Sequence, residues 1–292
     1  MRATYIMGYS RSGSTLFESV LASHEGLNAL GELKYVAERA ISKGERCSCG
    51  QFSPECRFWG PVLREMSHWD ASEIAKITNR LESTRWFFVN VFLVRLGFLR
   101  RDLRKYLEFN SELFSLLSEA GGYIDSSKMP ARVYFLNRLD TEWRYERVIW
   151  IVRDPRGVAW SCMKDIDRPE ARQTQDRKMP RFGFYTALVK WGLNSVVSNY
   201  VAQRVKNVHL IRYEDFVRDP MEVMDVKPNV SESEPLFHSV SGNPRRFQGG
   251  FNKVSADLEW QSRLGMQRKV LGYVMCLPLM LKFSYSLHGD TQ

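Results

Sequence analysis

The chain has no apolar run long enough to cross a bilayer. Its most apolar stretch, Trp86 to Leu99, is broken by Asn90 and Arg95 and falls short of the roughly 20 residues that a spanning helix needs. Tyr273 to Leu281 is shorter still, so no transmembrane helix is expected. The basic, apolar and small-residue regions of a secretory leader are also missing, because Met1-Arg2 runs straight into a strand-like segment; a cytoplasmic location is the expectation. No internal repeat or low-complexity tract interrupts the chain. Cysteine is sparse, at five residues, and an odd, small number in a reducing compartment argues for thiols rather than a disulfide framework. Three of them crowd into Cys47-Ser48-Cys49-Gly50 and Cys56, but no fourth Cys or His stands nearby at the spacing of a structural zinc site. A plain turn with buried thiols and no metal is the reading; Cys162 and Cys276, in apolar surroundings, read as core.

Positive charge is present in quantity. The 292 residues carry 42 Lys+Arg against 33 Asp+Glu, a net charge of +9, which favours anionic ligands but also fits nucleic acid or a membrane surface. A hydrophobic fraction of 44% and a charged fraction of 26% are those of an ordinary globular protein. The length fits one α/β domain with insertions.

One stretch organises the rest. Ala3-Thr4-Tyr5-Ile6-Met7 has strand composition, Leu16, Val20 and Leu21 recur at helical spacing, and Gly8-Tyr9-Ser10-Arg11-Ser12-Gly13-Ser14-Thr15 lies between. A small-residue loop between strand and helix aims backbone N–H groups and the positive end of the helix dipole at an anion. The spacing approaches G-x-x-x-x-G-K-[ST], with Gly8, Gly13 and Thr15 in place. The lysine is absent, however: Ser14 holds its position and Arg11 is the nearest cation. Triphosphate hydrolysis is disfavoured accordingly. The alternative is a serine-rich turn capping a helix.

Further along, Glu32 follows a turn-rich return to the sheet, where a carboxylate near an anion loop either takes a proton from an acceptor or caps the next helix. His24 faces the same site or closes the first helix. Residues 34–70 are polar and turn-rich. Residues 71–119 read as helical, with Phe87, Val91, Val94 and Phe98 forming one apolar stripe and Leu107, Leu113, Leu116 and Leu117 another. Tyr123-Ile124-Asp125 is a second strand that delivers Lys128 to the ligand end of a parallel sheet, and a helix over 131–139 follows. The most strand-like segment, Val148 to Val152, empties into Arg153-Asp154-Pro155, with Ser161 about two helical turns on. That arrangement suits a second phosphate as well as an Asp154-capped helix with Pro155 at its first position. Lys164 to Arg181, rich in arginine, reads as a mobile basic loop. A helix over 182–206, a last strand at 208–212 and a turn carrying Arg245 and Arg246 complete the pattern; paired guanidinium groups suit a dianion.

With these motifs in place, the chain resembles the sulfotransferases that use 3′-phosphoadenosine 5′-phosphosulfate, notably bacterial members and the protein-tyrosine branch. Arg11-Ser12-Gly13-Ser14-Thr15 is similar to the family's 5′-phosphosulfate loop and Arg153 through Ser161 to its 3′-phosphate motif. Arg212-Tyr213-Glu214-Asp215 is similar to the segment whose tyrosine approaches adenine, and Gly242 through Phe247, with Trp260, to the closing cofactor segment. The resemblance implies a central parallel sheet flanked by helices, a P-loop-like fold over 1–292 with a largely helical insertion at about 34–120. It implies Glu32 as general base, with Lys128 and Arg11 beside the transferring group, and cofactor contacts from Tyr213, Arg245 and Arg246. The acceptor would be a small molecule, lipid or carbohydrate, with no nucleic acid and no metal required. Two departures stand: Asp219 to Phe237 is short, and Arg245-Arg246 replaces a lysine-glycine pattern. A P-loop kinase or a basic nucleic-acid binder is the alternative reading.

Overall fold

The computed structural model describes residues 3–137, 145–167, 178–224, 237–248 and 256–289. Its frame is a sheet of five strands in the order β2-β3-β1-β4-β5, every pairing parallel. The strands are β1 (Ala3–Gly8), β2 (Asn28–Ala29), β3 (Tyr123–Lys128), β4 (Arg147–Val152) and β5 (Val208–Arg212). Continuous burial of β1 and β3 is what a parallel sheet covered on both faces demands. Alternation along the strands sends Tyr5, Met7, Tyr123, Val148, Trp150 and Val152 into one apolar cluster. Ile6, Ile124, Ile149, Ile151 and Ile211 enter the other, against Phe17 and Leu21. Because the chain visits β2 and β3 on one side of β1 and β4 and β5 on the other, the connection order reverses beside β1. A crevice opens at such a point, outside the carboxyl ends of the strands.

Helix α1 (Ser14–Glu25) leads from β1 to β2. The chain then leaves the sheet through short turns, a π-helical stretch at Val36–Ser42, and α2 (Trp59–Glu65), α3 (Ala71–Leu81), α4 (Phe87–Arg95) and α5 (Arg100–Glu119). Asp70 begins α3 by accepting hydrogen bonds from the Ser72 and Glu73 N–H groups at 2.9 and 3.0 Å. The expected stripe on α4 holds for Phe87 and Val91, which are buried, but Phe98 is 76% exposed. The helix stops at Arg95, and Gly97, at φ +87°, turns the chain before Phe98 can face inward.

α6 (Pro130–Leu136) follows β3, α7 (Pro155–Met163) follows β4, α8 (Phe184–Ala202) leads back to β5, and α9 (Tyr213–Arg218) follows it. Where the sequence ends the second strand at Asp125, the structure carries β3 on to Lys128; α6 ends at Leu136, three residues before its expected limit. Beneath the site, Arg132 of α6 is buried. Its Nε donates to Asp125 Oδ2 at 2.9 Å, Nη1 to Glu82 Oε1 at 2.8 Å and Nη2 to Asn110 Oδ1 at 2.9 Å. One guanidinium thus joins β3 to the α3 end and to α5 of the insertion. A later segment extends the sheet beyond β2: the His238 N–H donates to Ala29 O at 3.0 Å and that of Val240 to Leu30 O at 3.2 Å. Of the basic loop, an Asp167–Lys178 bridge is seen; Arg168, Arg172 and Arg177 lie outside the described residues, as does most of Asp219 to Phe237.

Candidate functional site

All five strands deliver a residue to the same end of the sheet. After β1 the loop reaches Arg11 at φ +69° and Gly13 at φ +85°. A Cβ on Gly13 would lie 2.4 Å from the Tyr213 ring, so glycine is required for this approach. Ser14 then starts α1. Following β3, Lys128 sits at φ +70°, a conformation that non-glycine residues rarely adopt outside constrained sites. Arg153 follows β4, Tyr213 follows β5, and Glu32 follows β2.

These residues border one cavity of about 540 Å³, whose lining includes Arg11, Gly13, Ser14, Thr15, Glu32, Lys128, Arg153, Ser161 and Tyr213. That size lies within the range of small-molecule sites. Ser12 is not among the lining; its hydroxyl is buried, with no hydrogen-bond partner among the described residues. Arg246 turns away from the cavity, with Nη1 donating to Gly242 O at 3.2 Å and Nη2 to Arg46 O at 3.5 Å. The Arg245 side chain lies outside the described residues. Asn243, Pro244 and Phe247 of the same turn line the cavity. His24 occupies the last turn of α1, roughly 15 Å along the helix axis from the loop, and does not border it. Lys164, Met179 and Asp257 also line the cavity without a motif that marked them.

Two ion-paired clusters border the cavity. In the first, Lys128 Nζ forms an ion pair with Glu32 Oε1 and donates to Ser126 O at 3.2 Å. Burial pushes the Glu32 carboxyl up, but Lys128, Arg39 and Lys34 outweigh it and hold the group below its ordinary value. Burial lowers the Arg11 guanidinium, whose Nη2 reaches Met179 Sδ at 3.4 Å. In the second, Arg153 Nη1 donates to Arg11 O at 3.0 Å and Nη2 to Asp257 O at 2.6 Å, while its guanidinium lies over the Tyr213 ring at 4.6 Å. Burial raises Asp257, yet Arg153 and Lys164 bring its carboxyl below the ordinary range. Asp154 caps α7 through the Arg156 N–H at 2.9 Å and receives support from Glu214 Oε1, which accepts the Asp154 N–H at 3.0 Å. The α7 dipole therefore points its positive end toward the Arg153 side.

Two carboxyls behind the site are destabilised by burial. Glu18 accepts the Gly31 N–H and the Ser126 hydroxyl, both at 2.7 Å, and burial pushes it to about 7. Glu214 is likewise raised to about 7 by burial. Asp125 accepts the Ser127 N–H at 2.9 Å and the Leu33 N–H at 3.3 Å. Glu18 and Asp125 thus fix the backbone on both sides of Glu32 and at Lys128.

The parallel α/β sheet thus brings together, at its switch point, the Arg11–Gly13 loop, the Arg153 guanidinium beside the start of α7, and the Glu32–Lys128 pair. The model of the sulfotransferase family matches residues 4–225, and the chain belongs to that family. Sulfotransferase STF9 from Mycobacterium avium has the same fold, at 12% identity and a TM-score of 0.51 over 99% of this chain and 78% of that one. Two further similar structures are the sulfotransferase domain of the Synechococcus PCC 7002 olefin synthase, at 18% identity, TM-score 0.47 and 98% and 95% coverage, and that of the curacin biosynthetic pathway, at 15%, 0.48, 98% and 99%. No curated protein matches. Among the described residues no helix is long and apolar enough to cross a membrane.

Proposed function

We propose that this sulfotransferase takes its sulfuryl group from 3′-phosphoadenosine 5′-phosphosulfate and passes it to a hydroxyl or amine of a small-molecule, lipid or carbohydrate acceptor. The observation that carries the reading is one cavity lined by the cations Arg11, Lys128, Arg153 and Lys164 together with Ser161, which suits a donor bearing more than one phosphate charge. Glu32 accepts the acceptor's proton as the acceptor oxygen or nitrogen bonds to sulfur in line. The bond from sulfur to the bridging phosphate oxygen breaks, and its electron pair leaves with the nucleotide. Lys128, Arg11 and the loop N–H groups stabilise the charge that develops on that oxygen. Lys128 Nζ, which donates to Glu32 and Ser126 O, keeps a third N–H for that oxygen, and its attraction to the departing charge loosens its hold on the carboxylate, whose basicity rises when a base is needed.

Calorimetric titration with 3′-phosphoadenosine 5′-phosphate tests the donor, with adenosine 5′-phosphate and ATP as controls and no magnesium added. Selective binding of the bisphosphate is expected. In Arg153→Ala the preference over adenosine 5′-phosphate falls about tenfold or more, as a lost charge-assisted contact implies. Preference for magnesium-ATP overturns the reading, and an unchanged ratio in the variant removes Arg153 from the phosphate site. A P-loop kinase would need a cation where Ser14 stands.

A further inference from the structure

We propose that Cys47, Cys49, Cys56 and His238 form a structural zinc site, which staples the helical insertion to the segment running past Glu32. The sequence presents three clustered cysteines without a fourth ligand; the fold supplies it from 182 residues beyond Cys56. The four donor atoms all lie within 4.8 Å of one another. His238 Nδ1 is 3.2 Å from Cys56 Sγ and 3.5 Å from Cys47 Sγ, and Cys49 Sγ is 3.6 Å from Cys56 Sγ. Tetrahedral zinc with the usual Zn–S and Zn–N lengths sets donor-to-donor edges of about 3.8 Å for S···S and about 3.5 Å for S···N. These three separations are close to those edges, and the remaining three stay within 4.8 Å.

The surroundings are those of a metal-binding knuckle. The Gly50 N–H donates to Cys47 O at 2.9 Å, with Gly50 at φ +90°, and this turn brings Cys49 back toward Cys47. Backbone N–H groups of Phe58 and Trp59 hydrogen-bond the Cys56 sulfur, and that of Cys49 bonds the Cys47 sulfur. The Phe58 ring stacks on the imidazole at 5.1 Å and 11°, and Trp59 Nε1 donates to His238 O at 2.5 Å. Such outer contacts orient ligands. Cys47, Cys56 and His238 are buried, while Cys49 is exposed. Three soft sulfurs and one imidazole suit zinc over magnesium or calcium, and four protein ligands leave no open position for catalysis. None of the four lines the cavity.

The staple has a clear mechanical target. From His238 the chain pairs with Ala29 and Leu30, and at Ser241 its carbonyl accepts the Glu32 N–H at 3.1 Å. Ser48 is tied to the same segment, donating from its hydroxyl to Phe237 O at 2.8 Å and accepting the Ser239 N–H at 2.8 Å. Zinc therefore holds the wall that carries Glu32 on one side and Asn243 and Pro244 on the other.

The test is metal content, which is read without turnover and so stands apart from the donor assignment. Full-length protein purified with reductant from zinc-supplemented medium should carry about one zinc per chain by plasma mass spectrometry. Cys56→Ser and His238→Ala should lose it, whereas Cys162→Ser should keep it. Should the ligand variants fail to fold, exchange of cobalt(II) into the unaltered protein decides: thiolate-to-cobalt charge transfer with the intense visible bands of a tetrahedral site is expected. A folded chain that holds no zinc and gives no such spectrum overturns the proposal, as does zinc retained by Cys56→Ser/His238→Ala, or a Cys49–Cys56 disulfide in reduced preparations.

Discussion

In the resting protein Glu32 is a weak base, because Lys128 faces it as an ion pair and three cations together outweigh the effect of burial. A general base works best with a pKa near the working pH, and in the proposed mechanism the pair loosens in the reacting complex. This yields a prediction with a sign. Replacing Lys128 by methionine removes the largest favourable partner of the carboxylate and leaves burial dominant, so the Glu32 pKa rises. The acid limb of the kcat/KM profile should move to higher pH in Lys128→Met, on top of a lower plateau. Glu32→Gln should bind the bisphosphate nucleotide as before and lose about 10²-fold or more in turnover. An unmoved acid limb with an active Lys128→Met protein, or undiminished turnover in Glu32→Gln, would remove Glu32 from the proton-transfer step.

The next scale is that of the elements holding this pair. Strand β1, its loop and α1 are legible in the sequence because composition, glycine placement and capping act locally; the same is true of β4 and the Asp154–Pro155 start of α7. The last three residues of β3 are not legible. Ser126, Ser127 and Lys128 have poor strand composition, yet they are buried, with the Ser126 hydroxyl satisfied by Glu18 from 108 residues away and that of Ser127 by Asp125 of the same strand. Glu18 looks like any helical carboxylate in sequence, yet it anchors the Gly31 N–H beside Glu32. Its pKa, raised to about 7 by burial, lies above the ~4.3 of an unfolded chain. The folded state thus holds the extra proton between those values, and stability falls as pH rises across that window, with the full loss present above about 7. Glu18→Gln keeps an acceptor for Gly31 and removes the titration. Urea midpoints between pH 5 and 8.5 should decline for the parent and change less for the variant; parallel curves would contradict the assignment of the proton to Glu18.

Across the whole molecule, the insertion must be fixed relative to the sheet, since its Arg39 and Lys34 bear on Glu32 while Arg11, Lys128 and Arg153 come from the strand ends. The sequence shows an excursion between β2 and β3 but not its attachments. These attachments pair residues 50 and 182 positions apart, Arg132 with Glu82 and Cys56 with His238, and neither periodicity nor local spacing carries such information. The Arg132 attachment is charged and fully buried. Its guanidinium compensates two buried carboxylates, Asp125 and Glu82, while Tyr145 and Tyr106 donate to the same oxygens at 2.6 and 2.7 Å. Removing the cation leaves two anions without counter-charge, which costs about 3–5 kcal/mol where a buried pair is broken from one side. Arg132→Met should therefore lower unfolding free energy by that amount in urea. Because Asp125 also holds the Leu33 and Ser127 N–H groups next to Glu32 and Lys128, the variant should lose turnover as well under conditions where it remains folded. A loss below about 1 kcal/mol would mean that the tyrosine hydroxyls alone satisfy the carboxyls, with protons taken up in place of Arg132, and that the insertion is held chiefly by its apolar contacts.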